Sequence, residues 1–195
     1  MSNPVLIYET IVTTRAADGE THIVPLGIRY EGEHVVLAPF RPSATLDNVL
    51  REKYAVVNFT DDVRVFAGCL TGRRMWPLAA ADKVPGMRLQ SALAHLELEL
   101  DRVEEDDMRP RLLCRQLHSA THAPFKGFNR AQAAVIEACI LVSRLHMLTQ
   151  EKVQQETGYL SIAIGKTAGP REAEAWQWLM DKIDAHHAQQ RQATP

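Results

Sequence analysis

The segment from Pro39 to Val49, PFRPSATLDNV, places an arginine, two prolines and two hydroxyl residues ahead of a predicted helix. The first backbone N–H groups of a helix lack intrahelical acceptors and lie at the positive end of the helix dipole, which favours anions. The Ser43 and Thr45 hydroxyls and the Arg41 guanidinium would add donors suited to a phosphate group. Asn48 lies one turn further along and would reach a polar ring of the same ligand.

The same segment also has a purely local interpretation. Prolines end the preceding strand, and Ser43 is a good N-cap because its hydroxyl can accept a hydrogen bond from the first helical turn. Prolines and hydroxyl residues ahead of a helix are common capping chemistry with no ligand bound. Spacing alone leaves both interpretations open and favours the cap.

Bulk composition excludes several functional classes. The chain has 195 residues, 46% hydrophobic and 24% charged, which is typical of one globular domain or of a domain with a helical appendage. The net charge of -2 and the 6% aromatic content argue against nucleic-acid binding. Cys69, Cys114 and Cys139 are widely spaced and form no CxxC pair, which is typical of reduced thiols and predicts a cytoplasmic protein.

Membrane association is also not expected. The N-terminal sequence MSNPVLIYE lacks the basic and long apolar segments of a signal peptide. The most apolar helical stretch, AAVIEACILV, is interrupted by Glu137 and is too short to span a bilayer.

The periodicity of the chain predicts strands first and helices afterwards. Alternating or β-branched runs predict strands, and apolar residues at helical spacing predict helices. The predicted strands are VLIYETIVTTR, THIVPLGIRY, GEHVVLAPF, YAVVNFT, DVRVFAGCL, AHLELELDRVEEDD and RPRLLCRQLHS, and the predicted helices begin at Ser43, Asn129, Glu151 and Pro170. Asp18-Gly19 is a hairpin signal, and Pro25 suggests an edge or a bulge. Residues 71–89 are expected to form a surface excursion with some helix.

These elements predict a mainly β protein with α (α+β), an antiparallel split β-barrel followed by a C-terminal helical segment. The expected organisation is a barrel domain over residues 1–125, a helical region over 126–190 packing on the barrel, and a flexible tail over 191–195.

Three motifs carry a resemblance to a known superfamily. The order TTR…DG..H..P.G, PF.PSAT..NV and VVNF is similar to the FMN-binding split-barrel superfamily, which includes the flavin reductases. The segments VVNFTDDVRVFA, PFKGFNRAQAAVIEA, SRLHML and KTAGP resemble a narrower family of FMN-binding split-barrel dimers whose activity is unassigned.

The resemblance implies an FMN cofactor and assigns residues to it. Four residues match the segment that binds the flavin phosphate and ribityl chain: Arg41, Ser43, Thr45 and Asn48. Pro25, Leu26 and Gly27 match the strand beside the isoalloxazine edge, where a glycine permits close approach. Asn58 matches the VVN strand, behind the residues that contact the flavin.

A second cluster, Lys126, Asn129 and Arg130, lies in PFKGFNRA, where a loop enters a helix. The resemblance implies a homodimer with shared flavin sites, in which these residues would complete the site of the other subunit. The alternative is a capped helix with solvent-facing charges.

The resemblance further implies a flavin-dependent oxidoreductase or flavin reductase of unknown substrate, with a nicotinamide as candidate electron donor. No nicotinamide signature or general acid is evident in the sequence, so no catalytic residue is assigned. The alternatives are a non-catalytic flavin carrier or sensor, or the same fold binding a deazaflavin, haem or pterin.

No metal site is expected from the sequence. His118 and His122 have HxxxH spacing, but they follow a strand and run into Pro124 without an evident third ligand. Alternation along the preceding strand predicts a solvated acidic stripe formed by Glu97, Glu99 and Asp101.

Overall fold

The computed structural model describes residues 5–193, with side chains described up to residue 191. The strands are β1 (Tyr8–Arg15), β2 (Thr21–Glu31), β3 (His34–Leu37), β4 (Tyr54–Phe59), β5 (Leu78–Ala80), β6 (Met87–Leu89), β7 (Ala94–Glu104) and β8 (Arg111–Thr121). The helices are α1 (Ala44–Glu52), α2 (Val63–Leu70), α3 (Arg130–Ser143), α4 (Gln150–Thr167) and α5 (Pro170–Ala193), with a short 3-10 turn at Leu145–Met147.

Six strands form a closed antiparallel barrel in the order β1-β2-β3-β8-β7-β4, which confirms the predicted fold class. The β1–β2 hairpin turns at Gly19, whose φ of 89° is accessible to glycine at little cost. Alternate residues of the strands point inward and form the barrel core, including Val12, Val57, Leu98 and Leu112.

Helix α1 contributes to the same core. Its residues Leu46 and Val49 are buried and belong to the cluster that fills the barrel. The first turn of α1 is therefore fixed relative to the barrel strands by apolar packing. Any ligand bound at that turn would lie against a rigid support.

Strand β2 is paired with β1 along most of its length but with β3 only from Ile28 to Glu31. Pro25 lies outside the part of β2 that pairs with β3, which agrees with the expected edge position.

Two sequence predictions between β4 and β7 are wrong. The run DVRVFAGCL forms helix α2, because Asp62 accepts a hydrogen bond from the Arg64 N–H as an N-cap and the apolar residues bury one helical face. Residues 71–89 contain a two-stranded hairpin, β5–β6, in place of the expected helix. The Tyr54 hydroxyl donates to the Pro85 carbonyl at 2.7 Å, and Val84 packs with Tyr54 and Val56, so the hairpin covers the outer face of β4.

The chain divides into two compact units. The first comprises residues 1–60 and 76–125 and contains the barrel, and the second comprises residues 61–75 and 126–195 and contains helices α2 to α5. The segment 61–75 thus groups with the C-terminal helices, although it precedes the predicted boundary at residue 125. Of the expected tail, residues 194–195 lie outside the described residues, and α5 extends to Ala193.

The helices of the C-terminal part begin close to the positions that the sequence predicts. Asn129 caps α3 through hydrogen bonds from the N–H groups of Ala131 and Gln132, and Pro170 is the first residue of α5. Within residues 5–193, no helix is both long enough and apolar enough to cross a membrane.

Candidate functional site

The connection from β3 to α1 forms a helix N-terminus with available donors. Ser43 Oγ accepts a hydrogen bond from the Leu46 N–H at 3.3 Å, which confirms the predicted N-cap. The N–H groups of Ala44 and Thr45 lie in the first turn, where the helix itself offers no acceptor, so a ligand or water can accept from them. Thr45 is 3% exposed, so a phosphate that contacts its hydroxyl would itself be largely buried.

Arg41 lies at the outer side of this connection. Its guanidinium donates to Glu105 Oε2 at 2.9 Å, and the side chains of the pair are 39% and 70% exposed. An exposed ion pair of this kind contributes about 0–1 kcal/mol. The free energy lost when Arg41 leaves Glu105 to bind a phosphate would therefore be small.

A second arginine, Arg109, reaches the same connection from the turn between β7 and β8. Its guanidinium donates to the Ala38 carbonyl at 3.0 and 3.2 Å and lies 4.5 Å from the centre of the Phe40 ring. Arg109 thus fixes the backbone just before the helix and adds positive charge there. Sequence reasoning missed it because 68 positions separate it from Arg41 along the chain and only barrel closure brings them together.

Asn48 is buried at 4% exposure and faces β1. Its amide donates to the Thr14 hydroxyl at 3.0 Å, and its carbonyl oxygen accepts from Arg51 at 3.2 Å. The side chain links α1 to the barrel wall, and its predicted contact with a ligand ring would compete with these bonds.

The predicted isoalloxazine strand is β2. Pro25, Leu26 and Gly27 pair with Ile11, Thr10 and Glu9 of β1 and are half-buried. A Cβ atom at Gly27 would lie 2.6 Å from Cγ2 of Ile7, so the close approach that this glycine permits is made by the chain's own N-terminal segment.

Asn58 is completely buried and bridges three strands. Its Nδ2 donates to the Ile11 carbonyl at 3.1 Å and the Thr13 hydroxyl at 3.2 Å, and its Oδ1 accepts from the Leu89 N–H at 2.7 Å. This pattern ties β1 and the β5–β6 hairpin to β4. A place for Asn58 behind the residues that contact a flavin stays a prediction.

Lys126, Asn129 and Arg130 belong to the helical unit. Lys126 and Arg130 are exposed. The Asn129 amide also donates to the Thr167 carbonyl at 3.0 Å, so this side chain joins the start of α3 to the end of α4. The proposed flavin contact of these three residues stays a prediction.

We expect Ser43→Ala to lower the free energy of unfolding by about 1 kcal/mol, because it removes the cap of α1. Ser43→Gly should cost only a few tenths of a kcal/mol, since glycine is tolerated at an N-cap. Urea unfolding of the two variants and the parent would measure the difference. Equal stability of Ser43→Ala and the parent would show that the hydroxyl does not stabilise the helix.

A second polar cluster lies on the outer face of the barrel, under the β5–β6 hairpin. It comprises Asp82, His95, Glu97, His118 and His122. His95 Nε2 lies 3.1 Å from Glu97 Oε1, and His95 Nδ1 lies 2.9 Å from His122 Nε2. The nearest Asp82 oxygen lies 3.6 Å from His95 Nε2 and 3.4 Å from His118 Nε2.

The prediction that Glu97 is solvated is wrong. Glu97 and His95 are both completely buried, because the hairpin covers the face of β7 that strand alternation alone assigns to solvent. The Glu97 carboxylate accepts hydrogen bonds from the N–H groups of Asp82, Lys83 and Val84, each at 2.7 Å. Burial raises the pKa of Glu97, but these bonds and the one from His95 outweigh it, so the pKa is lowered and the group is ionised at neutral pH.

Several solved structures, among them the following three, have a fold similar to that of this chain. The FMN-bound protein MM1853 of Methanosarcina mazei is 22% identical, with a TM-score of 0.80 over 92% of this chain and 96% of that chain. Pseudomonas fluorescens 2-nitrobenzoate 2-nitroreductase NbaA is 18% identical, with a TM-score of 0.53 over 62% and 67%. Nitrilotriacetate monooxygenase component B of Bacillus cereus is 17% identical, with a TM-score of 0.50 over 68% and 78%. These likenesses establish the fold.

No curated protein matches the chain significantly. Two family models match it. The N-terminal domain model of DUF447, described as a protein of unknown function, covers residues 8–123, and the C-terminal DUF447 model covers residues 129–181. The barrel strands and most of the helical unit fall within these two matches, and the chain therefore belongs to the DUF447 family.

Proposed function

We propose that this chain binds FMN, with the phosphate at the N-terminus of α1. The observation that carries the proposal is the β3–α1 connection, where Arg41, two hydroxyls and the first N–H groups of a helix lie within residues 41–45, at a helix start packed into the barrel core. The FMN-bound state of MM1853, a DUF447 protein that matches nearly the whole chain, supports the same cofactor.

Each residue has a definite part in this proposal. The N–H groups of Ala44 and Thr45 and the hydroxyls of Ser43 and Thr45 donate to phosphate oxygens, and Arg41 adds a charged contact. Hydrogen bonds to charged groups contribute about 1.5–3 kcal/mol each. Three or four of them, together with burial of the apolar part of the flavin, account for a complex of about −8 kcal/mol, which corresponds to a micromolar dissociation constant.

We further propose that the protein is a flavin-dependent oxidoreductase. Bound flavin supplies the hydride and electron transfer, whereas the chain supplies binding and orientation. Similar folds occur in a 2-nitrobenzoate nitroreductase and in the flavin reductase component of a tryptophan halogenase, which supports redox chemistry. A similar fold in an NADH:FAD oxidoreductase of Streptomyces globisporus supports a nicotinamide donor. Steady-state oxidation of NADH or NADPH by the flavin-loaded protein tests this step, and its absence would favour a flavin carrier or sensor.

A homodimer with shared flavin sites is the proposed working form. The N-terminal segment exposes Val5, Leu6, Ile7 and Tyr8, and the ring of Tyr8 contacts that of Tyr30, which is also exposed. Contiguous exposed apolar surface commonly marks an interface. Sedimentation equilibrium should give twice the chain mass, and a monomer at micromolar concentration would contradict the shared site.

The phosphate site is tested by comparing FMN with riboflavin, which has the same ring and ribityl chain but no phosphate. Titration of flavin-free protein, followed by quenching of flavin fluorescence, should show at least tenfold tighter binding of FMN. Mass analysis of the flavin released from purified protein should identify FMN. Equal affinities for the two flavins would exclude an anion site at α1.

A further inference from the structure

We propose that Asp82, His95, Glu97 and His118 bind one divalent transition-metal ion, for which Zn²⁺ is the probe. One ligand atom from each of the four residues lies within 4.8 Å of all the others. Tetrahedral Zn²⁺, with bonds of about 2.0–2.2 Å to nitrogen and oxygen, separates its ligand atoms by about 3.3 Å. Three distances between ligand atoms of these four residues, 3.1, 3.4 and 3.6 Å, lie near that value.

The charges and donor types match such an ion. Asp82 and Glu97 supply two carboxylates, whose summed charge equals and opposes that of a divalent cation. His95 and His118 supply imidazole nitrogens, which favour Zn²⁺ and its first-row neighbours over Mg²⁺ or Ca²⁺. The side chains of His95 and Glu97 are fully buried, whereas His118 is 30% and Asp82 56% exposed, so the ion can enter from the side of Asp82.

The surroundings hold two of these ligands in place. Three backbone N–H groups fix the Glu97 carboxylate, and His122 Nε2 lies 2.9 Å from His95 Nδ1. With the metal on Nε2, the proton of His95 moves to Nδ1 and is donated to His122. Hydrogen bonds of this kind orient metal-binding histidines and fix their tautomer. His122 is therefore a positioning residue and not a ligand.

Four protein ligands make a closed, structural site. The ion would join β7, through His95 and Glu97, to β8, through His118, and to the β5–β6 hairpin, through Asp82. It would fix the hairpin, whose strand β6 is also held by Asn58 and by the Thr13 hydroxyl, which donates to Met87. This role is independent of flavin and goes beyond the proposed oxidoreductase function.

The test begins with chelator-treated full-length protein. Isothermal titration with Zn²⁺ should show one ion bound per chain with micromolar or tighter affinity. Co²⁺ should give the visible absorption bands of a tetrahedral complex, recorded as a difference spectrum. Zn²⁺ at a hundredfold excess over its dissociation constant should raise the melting temperature by several degrees.

Variants identify the ligands. Asp82→Asn and His118→Ala change partly exposed side chains and should each weaken Zn²⁺ binding at least tenfold. His122→Ala should weaken it less and alter the Co²⁺ spectrum without abolishing it. The matched control is His34→Ala, which removes the histidine of a similar pair, His34 Nε2 with Asp101 Oδ2 at 3.1 Å, outside the cluster. It should leave Zn²⁺ affinity unchanged.

Either of two results would overturn the proposal. One is the absence of stoichiometric Zn²⁺ or Co²⁺ binding to the parent, which would leave the cluster as an ion-pair network among its own side chains. The other is undiminished binding by folded Asp82→Asn and His118→Ala proteins. The Co²⁺ spectrum of the parent decides the geometry even if a variant fails to fold.

Discussion

Arg41→Ala and Thr45→Ala should each weaken FMN binding at least tenfold, and the double variant about a hundredfold or more. Each substitution removes a proposed donor to the phosphate. A charge-assisted bond contributes about 1.5–3 kcal/mol, which corresponds to a factor of ten or more in the dissociation constant. The melting temperature of the flavin-free protein should change little for Arg41→Ala, because its exposed pair with Glu105 adds little stability. Fluorescence titration measures the affinities.

Riboflavin is the control ligand for this experiment. Because it lacks the phosphate, its affinity should be the same for Arg41→Ala as for the parent. Glu105→Ala is the matched control variant, since it removes the competing partner of Arg41 and should leave FMN binding unchanged or tighter. If both single variants hold FMN as tightly as the parent, the segment acts only as a helix cap and the flavin assignment to this corner fails.

Glu97→Ala should destabilise the protein more than any other single change considered. The substitution leaves the buried N–H of Val84 and the partly buried N–H groups of Asp82 and Lys83 without their acceptor. A buried group left unsatisfied costs about 1–3 kcal/mol, so the free energy of unfolding should fall by about 2 kcal/mol or more. It also removes one hydrogen-bond partner of the buried His95 ring. Urea unfolding in the presence of a chelator measures the effect without any contribution from bound metal.

Glu99→Ala is the matched control for this change. Glu99 lies two residues along β7 on the same face, but its carboxylate is 44% exposed and pairs with the exposed Arg115. Its removal should cost at most about 1 kcal/mol, as expected for a surface ion pair. Similar losses for the two variants would show that the contacts of Glu97 with the hairpin do not stabilise the fold.

Local sequence patterns determined most of the secondary structure. Strand alternation in β7 and β8, the glycine turn at Gly19 and the caps at Ser43 and Asn129 act over a few residues, and the chain contains the complete signal for each. The motifs also resemble the FMN-binding split barrels, and the closed barrel and the DUF447 matches agree with that resemblance.

Helix α2 shows where local patterns misled. The apolar run after Asp62 is too short for its periodicity to distinguish a strand from a helix, and its β-branched residues favour a strand. In the structure, this segment is a helix because Asp62 caps its N-terminus and because α2 packs against other helices of the helical unit. Tertiary contacts here outweigh the strand propensity of the segment, as they often do for short segments.

The sequence alone was enough to predict the proposed phosphate site at the start of α1, because Arg41, Ser43 and Thr45 are close neighbours in sequence. Tertiary structure alone decided the histidine and carboxylate cluster. The alternation of residues along a strand predicts which side chains share a face of the sheet, but not which other element covers that face. The hairpin that carries Asp82 covers the face of β7 that was expected to contact solvent, and His95 and Glu97 are buried beneath it. His95 and Glu97 approach His118 only when strands β7 and β8 pair in the closed barrel. Local sequence patterns therefore could not predict this contact.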